Sequence, residues 1–211
     1  MHLLFCDINE PMIRKVVKLL LGAALVLMSA QGAFAQRWSV EGGYAWEHNY
    51  VEGFVDPVSN GFYLGANYDF FSDKTVSLET GLHFIEYDIR LRDYFGGIFH
   101  DMVFFADIPL LAKIHFPLGY GLSASAFVGP DVMYKAIVFE ENAGSWKRLA
   151  HSGTFEERLA FSALAGIGLT VDDKWGISFR ARHCCANPID GFKLLKNNNE
   201  FLYTLGLSWM F

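Results

Sequence analysis

Residues 102–116 read MVFFADIPLLAKIHF, and the two faces of that stretch decide the fold. Met102, Phe104, Ala106, Ile108, Leu110, Ala112, Ile114 and Phe116 form an unbroken apolar row at every second position, while the intervening residues include Asp107, Lys113 and His115. A period of two places alternate residues on opposite faces of a strand. One face of this strand is therefore wholly apolar and the other carries charge.

The same alternation recurs on both sides of this stretch. Trp38, Val40, Gly42, Tyr44 and Trp46 alternate with Glu41 and Glu47; Phe62 to Phe70 alternate with Asn67 and Asp69; Val76 to Phe84 alternate with Ser77, Glu79 and His83. Downstream, runs begin at Leu122, Leu159, Trp175 and Phe201, the seventh setting Ile177 and Phe179 against Ser178, Arg180 and Arg182. Eight strands result. Their polar faces carry Gly, Ser, Thr and charges in place of the bulky aliphatics of a soluble sandwich, the inverted pattern of a membrane barrel.

Connection lengths point the same way. Tight turns are expected at Ser72–Thr75, Pro117–Gly119 and Asp172–Lys174, and long connections at 49–60, 90–100, 135–157 and 186–200. Short and long alternate, as short periplasmic turns and longer extracellular loops require. Lipid offers no hydrogen-bond partner to the backbone, and a closed sheet pairs every N–H and C=O without a helix. The expected fold is thus all-β, an eight-stranded antiparallel transmembrane up-and-down barrel. Trp38, Trp175, Trp209 and Phe211 fall near its periplasmic rim and Trp46 near the opposite rim, where aromatic girdles form.

The N-terminus reads as an export signal. Arg14, Lys15 and Lys18 precede the apolar run Leu19–Met28, and Ala33-Phe34-Ala35 supplies a small-residue cleavage site before Gln36. Residues 1–35 are then a signal peptide, with Met12 as an alternative start, and 36–211 the barrel domain. No Cys follows the small residues, which argues against a lipid anchor. A net charge of −6, with no Lys/Arg cluster in the mature region, argues against a nucleic-acid partner. Three Cys are too few for a disulfide framework, and the adjacent pair Cys184-Cys185 has too few ligands for a structural zinc site. No metal and no cofactor are expected.

Several short motifs carry a resemblance. Asp107-Ile108-Pro109-Leu110-Leu111-Ala112-Lys113, then Phe127-Val128-Gly129-Pro130-Asp131-Val132, then Ala165-Gly166-Ile167-Gly168-Leu169 together resemble PorT-like outer-membrane β-barrel domains of the Bacteroides group. The terminal Leu205–Phe211 resembles the C-terminal signal read by the outer-membrane barrel insertion machinery. The resemblance spans the mature chain and implies an eight-stranded barrel integral to the outer membrane. Its namesake takes part in protein secretion; most members have no assigned role.

Three functions follow as expectations. The lumen side holds Glu41, Glu79, Asp107, Lys113, Arg180 and Arg182, with His83 and His115. These could form a proton path, a catalytic cluster or a pore lining, but eight strands leave room for little beyond their own side chains. Opposite charges buried there pair to offset desolvation, so a structural plug is expected. A narrow pore is the alternative. A second alternative is a lipid-modifying enzyme, because lipid A deacylases are also eight-stranded barrels with a His-x-Ser pair late in the chain. Here His183-Cys184-Cys185 stands in that region, with Asp190 or Glu200 as the acid, and the serine is missing. The first expectation is therefore not an enzyme but a structural or protein-interaction barrel, possible roles being secretion or envelope assembly. Its partners are outer-membrane lipid and other envelope proteins, with Trp146, Lys147 and Arg148 of the longest loop as the binding candidates.

Overall fold

Each alternating run forms a strand, and the computed structural model describes them over residues 36–48, 54–72, 74–93, 98–142, 145–148, 159–184 and 201–211. The strands are β1 (Gln36–His48), β2 (Phe54–Phe70), β3 (Val76–Asp93), β4 (Ile98–Gly119), β5 (Leu122–Asn142), β6 (Ser145–Arg148), β7 (Leu159–Val171), β8 (Trp175–Cys184) and β9 (Phe201–Met210). All pairings are antiparallel. Because β1 pairs with both β2 and β9, and β4 with both β3 and β5, the eight long strands close on themselves. The four-residue β6 is an addition to the expected eight: it pairs with the end of β5 outside the closed ring. The expected signal peptide lies outside the described residues, as do Cys185, Asp190 and Glu200.

Closure gives each of the eight long strands two partners, which removes the exposed edge that hydrocarbon would not tolerate. The outer surface is apolar over a broad belt that includes Val40, Leu64, Phe84, Ile108, Val128, Ile167, Phe179 and Leu207, all exposed. A continuous apolar surface of that extent around a polar interior is the signature of a barrel standing in a membrane. Trp38, Trp175, Trp209 and Phe211 are exposed at one end of the belt, with Trp175 and Trp209 stacked at 6.2 Å. On the outer face of β3 the belt gives way after Phe84 to Glu86, Asp88 and Arg90.

The short turns between β2 and β3 and between β7 and β8 lie where expected, whereas the one between β4 and β5 falls at Tyr120-Gly121, because Pro117–Gly119 still pair within the β4–β5 ladder. Asp172 and Asp173 both take left-handed φ values, 50° and 54°, and the Lys174 N–H donates to the Val171 carbonyl at 3.0 Å. Two consecutive left-handed residues match the right-handed twist of the flanking strands, which is why the three-residue connection Asp172–Lys174 can close there. At the other end the long connections are shorter than the alternation implied. Strand β2 begins at Phe54, β3 runs to Asp93, β4 begins at Ile98 and β5 runs to Asn142. The barrel is therefore lopsided: β2 to β5 span 17 to 22 residues, while β7 to β9 span 10 to 13. The long strands rise past the belt as a one-sided wall.

Candidate functional site: the lumen and the long-strand wall

Inward positions of the lower barrel are polar, and their side chains meet across the lumen. Arg180 on β8 donates to Glu41 on β1 at 2.7 Å and to Glu79 on β3 at 3.3 Å. Lys113 on β4 donates to the same Glu79 at 2.8 Å and lies 3.5 Å from Asp69. Arg182, two residues along β8, pairs with Asp107 on β4 and, through Nε at 2.6 Å, with Asp131 on β5. All six charged residues read from the sequence as lumen groups thus occur in two neighbouring ion-paired clusters. His83 bridges them, with Nδ1 3.4 Å from Asp107 and Nε2 2.7 Å from the side-chain oxygen of Asn67, whose amide donates to Glu41 at 3.5 Å. His115 meets Ser77 at 2.8 Å and stands 3.9 Å from Asp69.

Sequence reading did not single out Asp131, Asn67 or Tyr63 for these clusters. Asp131 is fully buried and accepts from Ser162 at 2.8 Å; Tyr63 donates to Glu41 at 2.6 Å. Tyr63 can lie across the lumen because Gly206 faces it: a Cβ there would stand 1.7 Å from the Tyr63 hydroxyl oxygen. Gly206→Ala is therefore expected to displace the phenol from Glu41 and cost about 1–3 kcal/mol. Urea unfolding in detergent measures this. Adding Tyr63→Phe, which removes the clashing oxygen, should cost less than the sum of the two single changes.

Above the ion pairs the interior changes character. Ala45, Tyr63, Ile85, Tyr87, Val103, Phe105, Met133 and Leu202 form a buried apolar layer. This departs from the expectation of a lumen lined by small and polar groups alone. Below the layer two spaces open toward the end of the barrel that carries the short turns. One, of about 260 Å³, lies at the mouth between Arg37, Lys74, His115 and Asp173. The other, of about 40 Å³, lies deeper, beneath Arg180 and Ser178. The deeper space holds a few waters at most.

Of the enzyme candidates, His183 projects from the outer face of β8 and stacks on Phe201, ring centroids 4.8 Å apart. It stands among the aromatic rings of the belt, with Phe201, Tyr203 and Trp46 next to one another on that face. Trp46 thus stands on the outer face level with Tyr203, away from Trp175 and Trp209. Of the loop candidates, Trp146 is 44% exposed on β6, and Lys147 and Arg148 follow it in the same strand.

No protein-family model matches this chain, and no curated protein sequence matches it. Among solved structures it is similar to Ail, the attachment invasion locus protein of Yersinia pestis, at 12% identity and a TM-score of 0.49, over 84% of this chain and all of that one. It is also similar to the outer membrane protein OprG of Pseudomonas aeruginosa, at 10% identity and a TM-score of 0.45, over 86% and 98% of the two chains. A third is Neisserial surface protein A, at 11% identity and a TM-score of 0.44, over 82% and 96%.

Proposed function

We propose that this chain is a sealed integral barrel of a bacterial outer membrane, serving as a structural or protein-interaction element in secretion or envelope assembly, and not an enzyme. One observation carries the reading: the ion-paired lower lumen is capped by the apolar layer of Ile85, Tyr87, Val103, Phe105 and Met133. Ions crossing such a layer would have to shed their hydration without compensation. With the lumen filled, the extracellular wall and its β5–β6 hairpin are the surfaces left for a partner. The PorT-like motifs and the terminal Leu205–Phe211 segment support the outer-membrane placement.

Reconstitution into planar bilayers tests the seal. The expected result is no unitary conductance, and stable channel steps would overturn it. Mass spectrometry of lipid A from cells with and without the protein should show no difference; a lost acyl chain would replace this reading with a deacylase. A photo-reactive group at position 146 in living cells is expected to yield a discrete adduct with an envelope protein. Absence of any adduct would remove the interaction role.

A further inference from the structure

The two spaces below the apolar layer form one well. Arg37, Asp69, Lys113 and Thr170 line both, so the space of about 40 Å³ beneath Arg180 is the blind end of the mouth of about 260 Å³. One water needs about 10–15 Å³ of such space, so the mouth has room for a solute as well as for water. Its two halves differ in kind. β5 and β7 present hydroxyls there, Ser123 and Thr170, whereas β1, the β2–β3 turn and β4 bring the cations Arg37, Lys74 and Lys113.

Charge is distributed unevenly along the well. At the floor three carboxylates, Glu41, Asp69 and Glu79, stand against Arg180 and Lys113. Lys113 lies nearer Glu79, at 2.8 Å, than Asp69 Oδ2, at 3.5 Å. Asp69 is 8% exposed, and its Oδ1 accepts no hydrogen bond among the described residues. A buried carboxylate oxygen in that state is a place for a donor. At the rim the balance reverses: Arg37 and Lys74 face one carboxylate, Asp173. Arg37 Nη1 lies 3.5 Å from Asp173 Oδ1, and the Asp173 side chain is 74% exposed. An exposed pair at that distance contributes little, so Arg37 can exchange its partner at small cost.

We propose that this well binds a small zwitterion, its oxyanion on Arg37 and Lys74 at the rim and its ammonium group on Asp69 at the floor. A lone anion would meet the excess carboxylate below, and a lone cation would have to pass the rim. A molecule carrying both charges on a short stem, as phosphoethanolamine does, matches the well at each level. The ammonium group brings three donors to Asp69, and the oxyanion accepts from the guanidinium in place of Asp173. The apolar layer closes the lumen above Arg180, so a bound solute leaves the way it entered. The well is there whichever side of the membrane the short-turn end faces.

Isothermal titration calorimetry on the full chain in nonionic detergent, at fixed ionic strength, is the test. Phosphoethanolamine should bind one site about tenfold or more tighter than inorganic phosphate or ethanolamine, a charge-assisted hydrogen bond being worth at least that factor. Arg37→Gln should weaken phosphoethanolamine and phosphate about tenfold and leave ethanolamine unchanged; Asp69→Asn should do the reverse for phosphate and ethanolamine. Asp173→Asn should tighten phosphoethanolamine, because it removes the competitor for Arg37, and Asn suits the left-handed backbone at that position. Lys174→Gln, in the same turn but outside the lining, should change nothing. Circular dichroism of each variant checks that the barrel has formed. Short-chain phosphatidylethanolamine binding tighter than phosphoethanolamine would assign the site to a lipid headgroup, and weaker binding to a free solute; both outcomes support the well. No saturable binding, equal binding of the zwitterion and its halves, or an Asp173→Asn effect of the opposite sign would overturn it.

Discussion

Arg182→Leu is expected to destabilise the folded barrel by about 3–5 kcal/mol, the cost of removing one partner from a buried ion cluster. Asp107 and Asp131 are both fully buried, and Arg182 stands between them. Without the guanidinium two carboxylates face each other in a medium too dry to screen them. His83, 3.4 Å from Asp107, is a single ring that can answer only one of them. The urea midpoint of tryptophan emission in vesicles measures the loss. Neutralising both acids as well, in Arg182→Leu/Asp107→Asn/Asp131→Asn, should recover much of it, because the penalty lies in the stranded charges rather than in the lost bonds. A single variant as stable as the wild type would show that the cluster is hydrated and contributes little. The same variant should stay non-conducting, since the apolar layer above Arg182 is untouched.

The lower barrel was legible because lipid imposes a strict rule on it. Charges such as Asp107 and Lys113 fall only on the phase opposite Ile108 and Ile114, so strand identity, facing and the lumen set follow from alternation alone. The wall was not legible, and the reason is a change of solvent along one strand. Beyond Phe84 the apolar residues of β3 switch to the inner phase, Ile85, Tyr87 and Ile89, while Glu86, Asp88 and Arg90 take the outer phase. Once the strand leaves the bilayer it packs like a water-soluble sheet, apolar side inward. The inverted phase reads as the end of a strand and as loop, which is why 90–100 and 135–142 looked like connections. Partners in the lumen were partly hidden for a different reason. Tyr63 sits on the polar phase among Gly61, Gly65 and Asn67, but only the register that brings Gly206 and Glu41 beside it reveals its role. The contact of His100 with Trp146, ring centroids 4.6 Å apart, likewise depends on the pairing of β4, β5 and β6, which no local pattern contains.

Ile167→Arg is expected to cost about 2–4 kcal/mol, whereas Val171→Arg, four residues along the same strand and face, should cost about 0–1 kcal/mol. Ile167 is 62% exposed on the outer face of β7 and pairs with Phe179, near the middle of the belt. Val171 pairs with Trp175 at the short-turn end of the belt, where a guanidinium can reach headgroups and water. In water both substitutions would be equally tolerable, because both side chains already point outward and touch little. The contrast therefore isolates the hydrocarbon itself as the cause, independent of packing. Folding titrations in vesicles of fixed thickness measure it. Equal and small effects at both positions would mean that the belt does not face lipid, whatever the closure of the sheet. A larger effect at Val171 than at Ile167 would place the bilayer nearer the short turns and move the long-strand wall correspondingly farther into the medium.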